Sequence, residues 1–169
     1  KDHAGVLAAA GEVCAARDDV HFYLVGDGLD ALRATVTELG LSGRVHLAAG
    51  RDDIEQVYAG LDLSILGSAW GEAFPNVVGE SMACGVPCVA TDVGDVRAIM
   101  ADTGRLVPRS DPAALALAVL EALEWPAQER ARRSGAAREQ IVRHHAIEAV
   151  AKAYEALYRD LRGLPACAS

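Results

Sequence analysis

Glu72 and Glu80 stand eight positions apart around a helix start, and no other stretch of this chain is as well equipped for chemistry. The run is Gly71-Glu72-Ala73-Phe74-Pro75-Asn76-Val77-Val78-Gly79-Glu80-Ser81-Met82-Ala83-Cys84-Gly85-Val86-Pro87. Phe74-Pro75-Asn76 is an entry signal, because proline suits the first helical turn and asparagine caps well. Cys84-Gly85-Val86-Pro87 is an exit signal, with glycine suited to a left-handed cap and proline unable to continue the helix. The spacing predicts a helix over 75–84, with Glu72 in the loop before it and Glu80 on its body. Such a helix start offers unpaired N–H groups and a partial positive charge, which suit a phosphate. A carboxylate does not help to bind phosphate, but it accepts hydrogen bonds from sugar hydroxyls. Together these groups describe a site for a sugar nucleotide.

An alternation of strands and helices must carry that helix. Strands are predicted at 21–25, 45–49, 61–66, 87–90 and 104–107, and helices at 30–39, 53–59, 75–84, 93–100 and 112–124. Gly26-Asp27-Gly28 closes the first strand, and Asp111-Pro112 is a strong helix start. The 61–66 run is mostly apolar, as buried parallel strands are. This order predicts an α/β fold, a doubly wound, Rossmann-like parallel sheet, over residues 1–125. Residues 126–162 read as helices packing on it, at 127–144 and 146–161, and 163–169 as a loose tail. In the second helix Ile147, Val150, Tyr154, Leu157, Tyr158 and Leu161 form an apolar stripe whose expected role is packing.

Composition narrows the function. The 169 residues suffice for one domain, which buries roughly 70% of its unfolded surface. Hydrophobic residues make up 51% and charged residues 24%, and no apolar run approaches the ~20 residues of a membrane span. A net charge of −8 argues against nucleic acid as a partner, so an anionic ligand must meet local positive features. Lys1, Arg51 and the helix start at Pro75 are the candidates. Two lysines against fourteen arginines, with abundant alanine, suggest a GC-rich bacterial source. Cys14, Cys84, Cys88 and Cys167 lack paired zinc spacing and read as small apolar residues in a reducing compartment. The opening Lys1-Asp2-His3 is unlike a signal peptide, so a cytoplasmic location is expected. The five histidines are scattered, and His144 and His145 are expected on different faces of one helix, so no metal or other cofactor is expected.

The run from Glu72 to Glu80 resembles the E-x7-E element of retaining glycosyltransferases with the two-Rossmann-domain GT-B architecture, family 4 in particular. The continuation to Gly94, the opening Lys1-Asp2-His3, the strand and turn at 22–28 and the loop at 45–54 are similar to that family in order. The resemblance implies that this chain is the C-terminal, donor-binding half of such an enzyme. It implies Lys1 as the diphosphate partner, Glu72 on the donor-sugar hydroxyls in the most nearly catalytic role, and Glu80 on the ribose. Phe74, Pro75, Asn76 and Val77 would act mainly through their backbone. Gly50-Arg51-Asp52-Asp53 would be the base-contacting loop, with Arg51 on the base and Asp53 serving equally well as a helix cap. Gly26 would permit a tight turn near the nucleotide, whereas Asp92-Val93-Gly94-Asp95 reads as a structural turn.

A further strand and an arginine, usual in the family before the lysine, are not seen, which predicts an unfilled central position in the sheet. The acceptor, a hydroxyl compound, would be held by an N-terminal domain, which could also touch the inner face of a membrane. In the family a C-terminal helix crosses back onto that domain, which implies that part of the 146–161 apolar face could be exposed in this chain. The expected activity is metal-independent glycosyl transfer from a nucleotide-diphosphate sugar with retention, this fragment turning over little alone. The alternatives are a sugar-nucleotide epimerase or phosphorylase of the same architecture, or a non-catalytic nucleotide-sugar-binding module.

Overall fold

The computed structural model describes residues 1–163; of the expected tail at 163–169, Gly163 caps the last helix and 164–169 lie outside the described residues. The chain runs α1 (His3–Ala16), β1 (Phe22–Val25), a 3-10 turn (Leu29–Leu32), α2 (Arg33–Glu38), β2 (Val45–Ala48), α3 (Ile54–Ala59) and β3 (Ser64–Leu66). It continues with α4 (Asn76–Ala83), β4 (Cys88–Thr91), α5 (Val96–Met100), β5 (Arg105–Val107), α6 (Pro112–Leu123), α7 (Ala127–His144) and α8 (Ile147–Arg162). Every strand pair is parallel, as the alternation of strands and helices requires. The Rossmann-like α/β class is therefore observed.

Helix α1 was not among the predicted elements. Asp2 caps it, its Oδ1 accepting from the Gly5 N–H at 2.9 Å. The helix buries Leu7, Ala9, Ala10 and Val13, and α1 and α6 lie side by side. Alanines spread around the helix blur the apolar period that would have announced it. The helix expected at 30–39 is split into the 3-10 turn and α2.

The sheet is not continuous. Among the described residues β1 pairs only with β2, and β3, β4 and β5 form a second group in that order. Between β1 and β3 lies a cavity of about 490 Å³, bordered by Phe22 and Leu24 on one side and Leu63 and Ile65 on the other. Strand β3 is shorter than the predicted 61–66, because only Ser64–Leu66 finds a partner, in β4. On one side of the molecule, α1, α6, β1 and β2 share an apolar core. A second core joins α4, α5 and β4 to α7, through Val78, Met82, Ile99, Met100, Ala137 and Ile141.

The two C-terminal helices differ. Helix α7 matches the predicted 127–144 and is also tied down by Arg138, which donates to the Ala83 carbonyl. Helix α8 buries no residue, and Ile147 and Leu161 are 78% and 75% exposed. The expectation that its apolar stripe packs on this domain is therefore corrected: the stripe faces outward, with only α7 beside it in any extent. No helix of the described residues is long and apolar enough to cross a membrane.

Candidate functional site

The loops after β1, β2, β3, β4 and β5 leave the C-terminal ends of parallel strands, the edge where ligands gather in such sheets. Glu72 lies in the loop after β3. Its Oε1 accepts from Lys1 Nζ at 2.5 Å and from Ser68 Oγ at 2.6 Å. Ser68 is only 1% exposed, and its carbonyl accepts from Thr91 Oγ1 at 2.6 Å, so the serine is fixed to the end of β4. Burial works to raise the Glu72 pKa, but the hydrogen bonds from Lys1 and Ser68 and the lysine charge outweigh it. The carboxyl is held below the ordinary glutamate range and is ionised at neutral pH.

Two backbone contacts hold the Glu72 loop in place. The Asp95 N–H donates to the Ala73 carbonyl at 3.0 Å. Gly94, with φ of 52°, lies so close that a Cβ there would be 2.2 Å from the Glu72 carbonyl oxygen. The 92–95 segment is thus a turn, and it also braces Glu72. Lys1 arrives from the start of α1, which Gly67 lets close in: a Cβ on that glycine would meet Val6 Cγ2 at 2.3 Å.

Helix α4 starts one residue later than its entry signal suggests. Pro75 is the N-cap and Asn76 the first helical residue, and no side chain caps the helix. Asn76 is therefore corrected from cap to first turn, and the helix start keeps donor groups free of side-chain caps. Pro75 is buried, while Asn76 is exposed and Val77 half-buried. Phe74 folds back over the first turn, its Cε1 3.2 Å from where a Cβ of Gly79 would stand. Its other side meets the His145 ring at 5.3 Å between centroids. The side chain pins the entry to α4, which suits a residue that serves a ligand through its backbone.

Glu80 projects from α4, and its Oε2 accepts from Tyr58 Oη at 3.1 Å. Tyr58, on α3, is 6% exposed. Burial first, and the Glu80 charge second, push its phenol pKa up, so it remains a donor. Ser64 Oγ and Ser81 Oγ, 2.9 Å apart and buried, tie α4 to β3.

Arg51 and Gly26 occupy a different part of the edge. Arg51 makes a two-pronged pair with Asp53, at 2.8 and 2.7 Å. Asp53 stands at the N-cap position of α3 but makes no side-chain cap bond, because Arg51 takes its carboxylate. Gly26 lines a cavity of about 280 Å³ with Asp27, Gly28 and the end of β2. A Cβ on Gly50 would be 3.0 Å from Asp27 Oδ1, so the Gly26 turn and the Arg51 loop are neighbours. The structure thus brings Lys1 to Glu72 and sets Phe74, Pro75, Asn76, Val77 and Glu80 along the next helix, with Gly26 and Arg51 apart from them.

The family described as Glycosyl transferases group 1 matches residues 1–124 of this chain. The chain belongs to that family. Over 148 residues it is 32% identical to N-acetyl-alpha-D-glucosaminyl L-malate synthase of Bacillus anthracis, covering 85% of this chain and 38% of that protein. A D-inositol 3-phosphate glycosyltransferase of Mycolicibacterium smegmatis is 32% identical over 144 residues, 81% of this chain and 33% of that protein. Among solved structures, Anabaena HepE in complex with UDP superposes with a TM-score of 0.81 at 26% identity, over 94% of this chain and 45% of that one. A Rickettsia africae glycosyltransferase gives a TM-score of 0.87 at 20% identity, over 95% and 44%, which speaks for the fold alone. The chain spans less than half the length of each of these relatives.

In this group 1 chain, sequence reasoning missed the residues that hold the carboxylates. Ser68 sits four positions before Glu72 at a strand end, a place where a small polar residue is a usable signal. Tyr58 reads as an ordinary core aromatic and Thr91 as the end of a buried strand. His145 was expected inside a helix with His144, but α7 ends at His144, which frees the His145 ring to meet Phe74. Cys88 is buried as expected, and burial pushes its thiol up to about 11.

Proposed function

We propose that the protein carrying this chain transfers a sugar from a nucleotide-diphosphate donor to a hydroxyl acceptor with retention, and that this chain supplies the donor-binding half. The observation that carries the reading is the Lys1–Glu72–Ser68 cluster beside the start of α4, with Glu80 held by Tyr58 one turn along. One anchored carboxylate precedes and the other follows, by one turn, a helix start without side-chain caps. That arrangement suits a ligand with hydroxyls at both ends and phosphates between. Support also comes from Anabaena HepE, which is 26% identical and has been solved with UDP and with UDP-glucose.

In this reading Glu72, ionised, accepts hydrogen bonds from the donor-sugar hydroxyls and fixes the ring. Lys1, now paired with Glu72, turns its ammonium to the diphosphate, where negative charge grows as the bond to the sugar breaks. The α4 start adds backbone N–H groups, and Glu80 takes the ribose hydroxyls. Arg51 leaves or shares Asp53 to meet the base. No metal or other cofactor is called for, since these groups meet the leaving charge.

The division of the protein follows the same reading. Residues 1–125 form the donor domain, and the cavity between β1 and β3 is the place of a further parallel strand. The outward apolar stripe of α8 suits a surface that the other half of the enzyme covers. That half would hold the acceptor and any contact with the cytoplasmic face of a membrane, and this chain alone would turn over little.

Calorimetric titration of the full-length protein with UDP, GDP and ADP, then their sugar conjugates, tests the proposal. Saturable binding of one diphosphate, weakened in Glu80→Gln, is expected, and the anomeric configuration of the product, read by NMR, should match that of the donor. Absence of any nucleotide binding, or an inverted product, would overturn it.

A further inference from the structure

Beside the Glu72 loop an open cleft of about 500 Å³ lies among Trp70–Gly71, the turn at 92–94 and Pro108–Arg109. Trp70 is 76% exposed, although Ser68 and Ala69 just before it are buried. The indole therefore stands on an anchored base. Trp125, by contrast, lies under the Arg133 guanidinium at 4.4 Å. A single exposed aromatic needs no explanation; the surroundings of this one matter. It is two residues from Glu72, at the ends of β3, β4 and β5, and it shares its cleft with a carboxylate and a guanidinium.

The cleft is also joined rigidly to Glu72. Its Gly94 wall lies against the Glu72 carbonyl, and the adjoining Asp95 N–H is bonded to the Ala73 carbonyl. Whatever sits on Trp70 is held in register with the Glu72 loop.

The lining selects a chemistry. A pyranose ring has one face of C–H bonds, which suits the flat apolar indole, and a rim of hydroxyls that both donate and accept. Asp92 pairs with Arg97 through Oδ2, which leaves Oδ1 able to accept. Arg109, exposed at the rim, supplies donors. A nucleobase could stack on the same indole, but the Asp92 carboxylate in this cleft is unfavourable to the diphosphate that a nucleotide carries.

We propose that this cleft is a sugar subsite, with Trp70 as the platform for a pyranose ring and Asp92 and Arg109 reading its hydroxyls. The assignment rests on the transferase reading above, and the ring belongs to either the donor glycosyl group or the acceptor.

The test compares wild-type full-length protein with Trp70→Ala and Trp70→Phe. Calorimetry gives the affinities for UDP and UDP-glucose. Saturation-transfer NMR, with UDP present, reads the binding of methyl α- and β-glycosides of glucose, mannose, galactose and N-acetylglucosamine. Trp70→Ala should weaken the sugar-dependent part of binding about tenfold, while Trp70→Phe keeps most of it and UDP itself binds unchanged. A loss in the UDP-glucose to UDP ratio marks the donor ring, and a loss confined to the glycosides marks the acceptor. The proposal is overturned if neither changes, if no glycoside binds the wild type while the UDP-glucose ratio is untouched, or if UDP affinity falls in parallel. Failure of the wild type to bind any nucleotide counts instead against the transferase reading, and the glycoside arm still reports on Trp70.

Discussion

Glu72 is gripped by Ser68, which is buried and anchored in turn by Thr91, whereas Arg51 is gripped only by Asp53, with both side chains well exposed. The two regions share one edge of the fold and differ in how they are held. Around Glu72 and Glu80 the partners include the buried Ser68 after β3 and Tyr58 on α3, with backbone from the 92–95 turn, and Lys1 is the one exposed member. Around Arg51 the partner is a neighbour two residues away. Groups that must hold the reacting sugar in one orientation gain from being fixed beforehand, since their own positions then need not change during reaction. A loop that only chooses a base can stay adjustable. If this contrast is real, substitutions in the first region should alter turnover and those in the second only selectivity.

The largest effect is expected at Glu72. Glu72→Gln keeps the size of the side chain and its bond from Ser68 but removes the charge that holds Lys1. The expected loss in kcat is about 10²–10³-fold, as for removal of a preorganised group at a reacting centre, with thermal unfolding little changed. Steady-state rates of the full-length enzyme with its donor sugar check this. Turnover within a few-fold of wild type would erase the distinction between the regions.

Glu80 comes next, and its effect should be on affinity. Glu80→Gln should weaken nucleotide diphosphate binding by about 1–3 kcal/mol, the cost of losing a charge-assisted hydrogen bond. Tyr58→Phe, which frees Glu80 from its buried donor, should cost about 0.5–1.5 kcal/mol by the same calorimetric measure. The two should be less than additive, because the tyrosine acts through the glutamate. Full additivity would make Tyr58 a core residue only.

What could be read before the fold was known divides along the same line. Helix α4 and strand β4 were legible because Pro75, Gly85 and Pro87 punctuate the chain. The 127–144 helix was legible from Pro126 and its charged face. Helix α1 was not, since its alanines hide which face is buried. The carboxylates stood out as charges at a helix start. Their holders did not, because Tyr58 and Glu80 are 22 positions apart and Thr91 and Ser68 are 23 apart. Such pairings exist only once the strands are placed. The α8 stripe left packing and exposure both open for a related reason: spacing shows that a helix has an apolar face, and only the neighbours decide whether it is covered.

Ser68 tests whether the anchoring itself matters. Ser68→Ala removes one of the two hydrogen bonds that hold the Glu72 pKa down, while burial still pushes it up, so the pKa should rise. Turnover needs the ionised carboxylate, and the acid limb of the kcat/KM profile should therefore move to higher pH, with kcat down about tenfold at neutral pH. The stability linkage has the same sign. A carboxyl held low in the folded state contributes stability that is present above its unfolded pKa, about 4.3, and is lost as pH falls through the folded value. Ser68→Ala should narrow that window. A profile superimposable on wild type would mean that Lys1 alone sets the charge state of Glu72.

The smallest effect is expected at Arg51. Its pair with Asp53 is exposed, and such pairs contribute little to stability. Arg51→Ala should leave the melting temperature and the kcat for the preferred donor close to wild type, while the ratio of affinities for UDP, GDP and ADP shifts toward uniformity. Freed from Arg51, Asp53 can turn to the open N–H groups at the start of α3, where it already holds the cap position, and this would offset the lost ion pair. A large drop in kcat with selectivity intact would invert the contrast. The Arg51 loop would then be part of the reacting centre, and the apparent looseness of the Arg51–Asp53 pair would be the resting state of a group that engages only when the donor is bound.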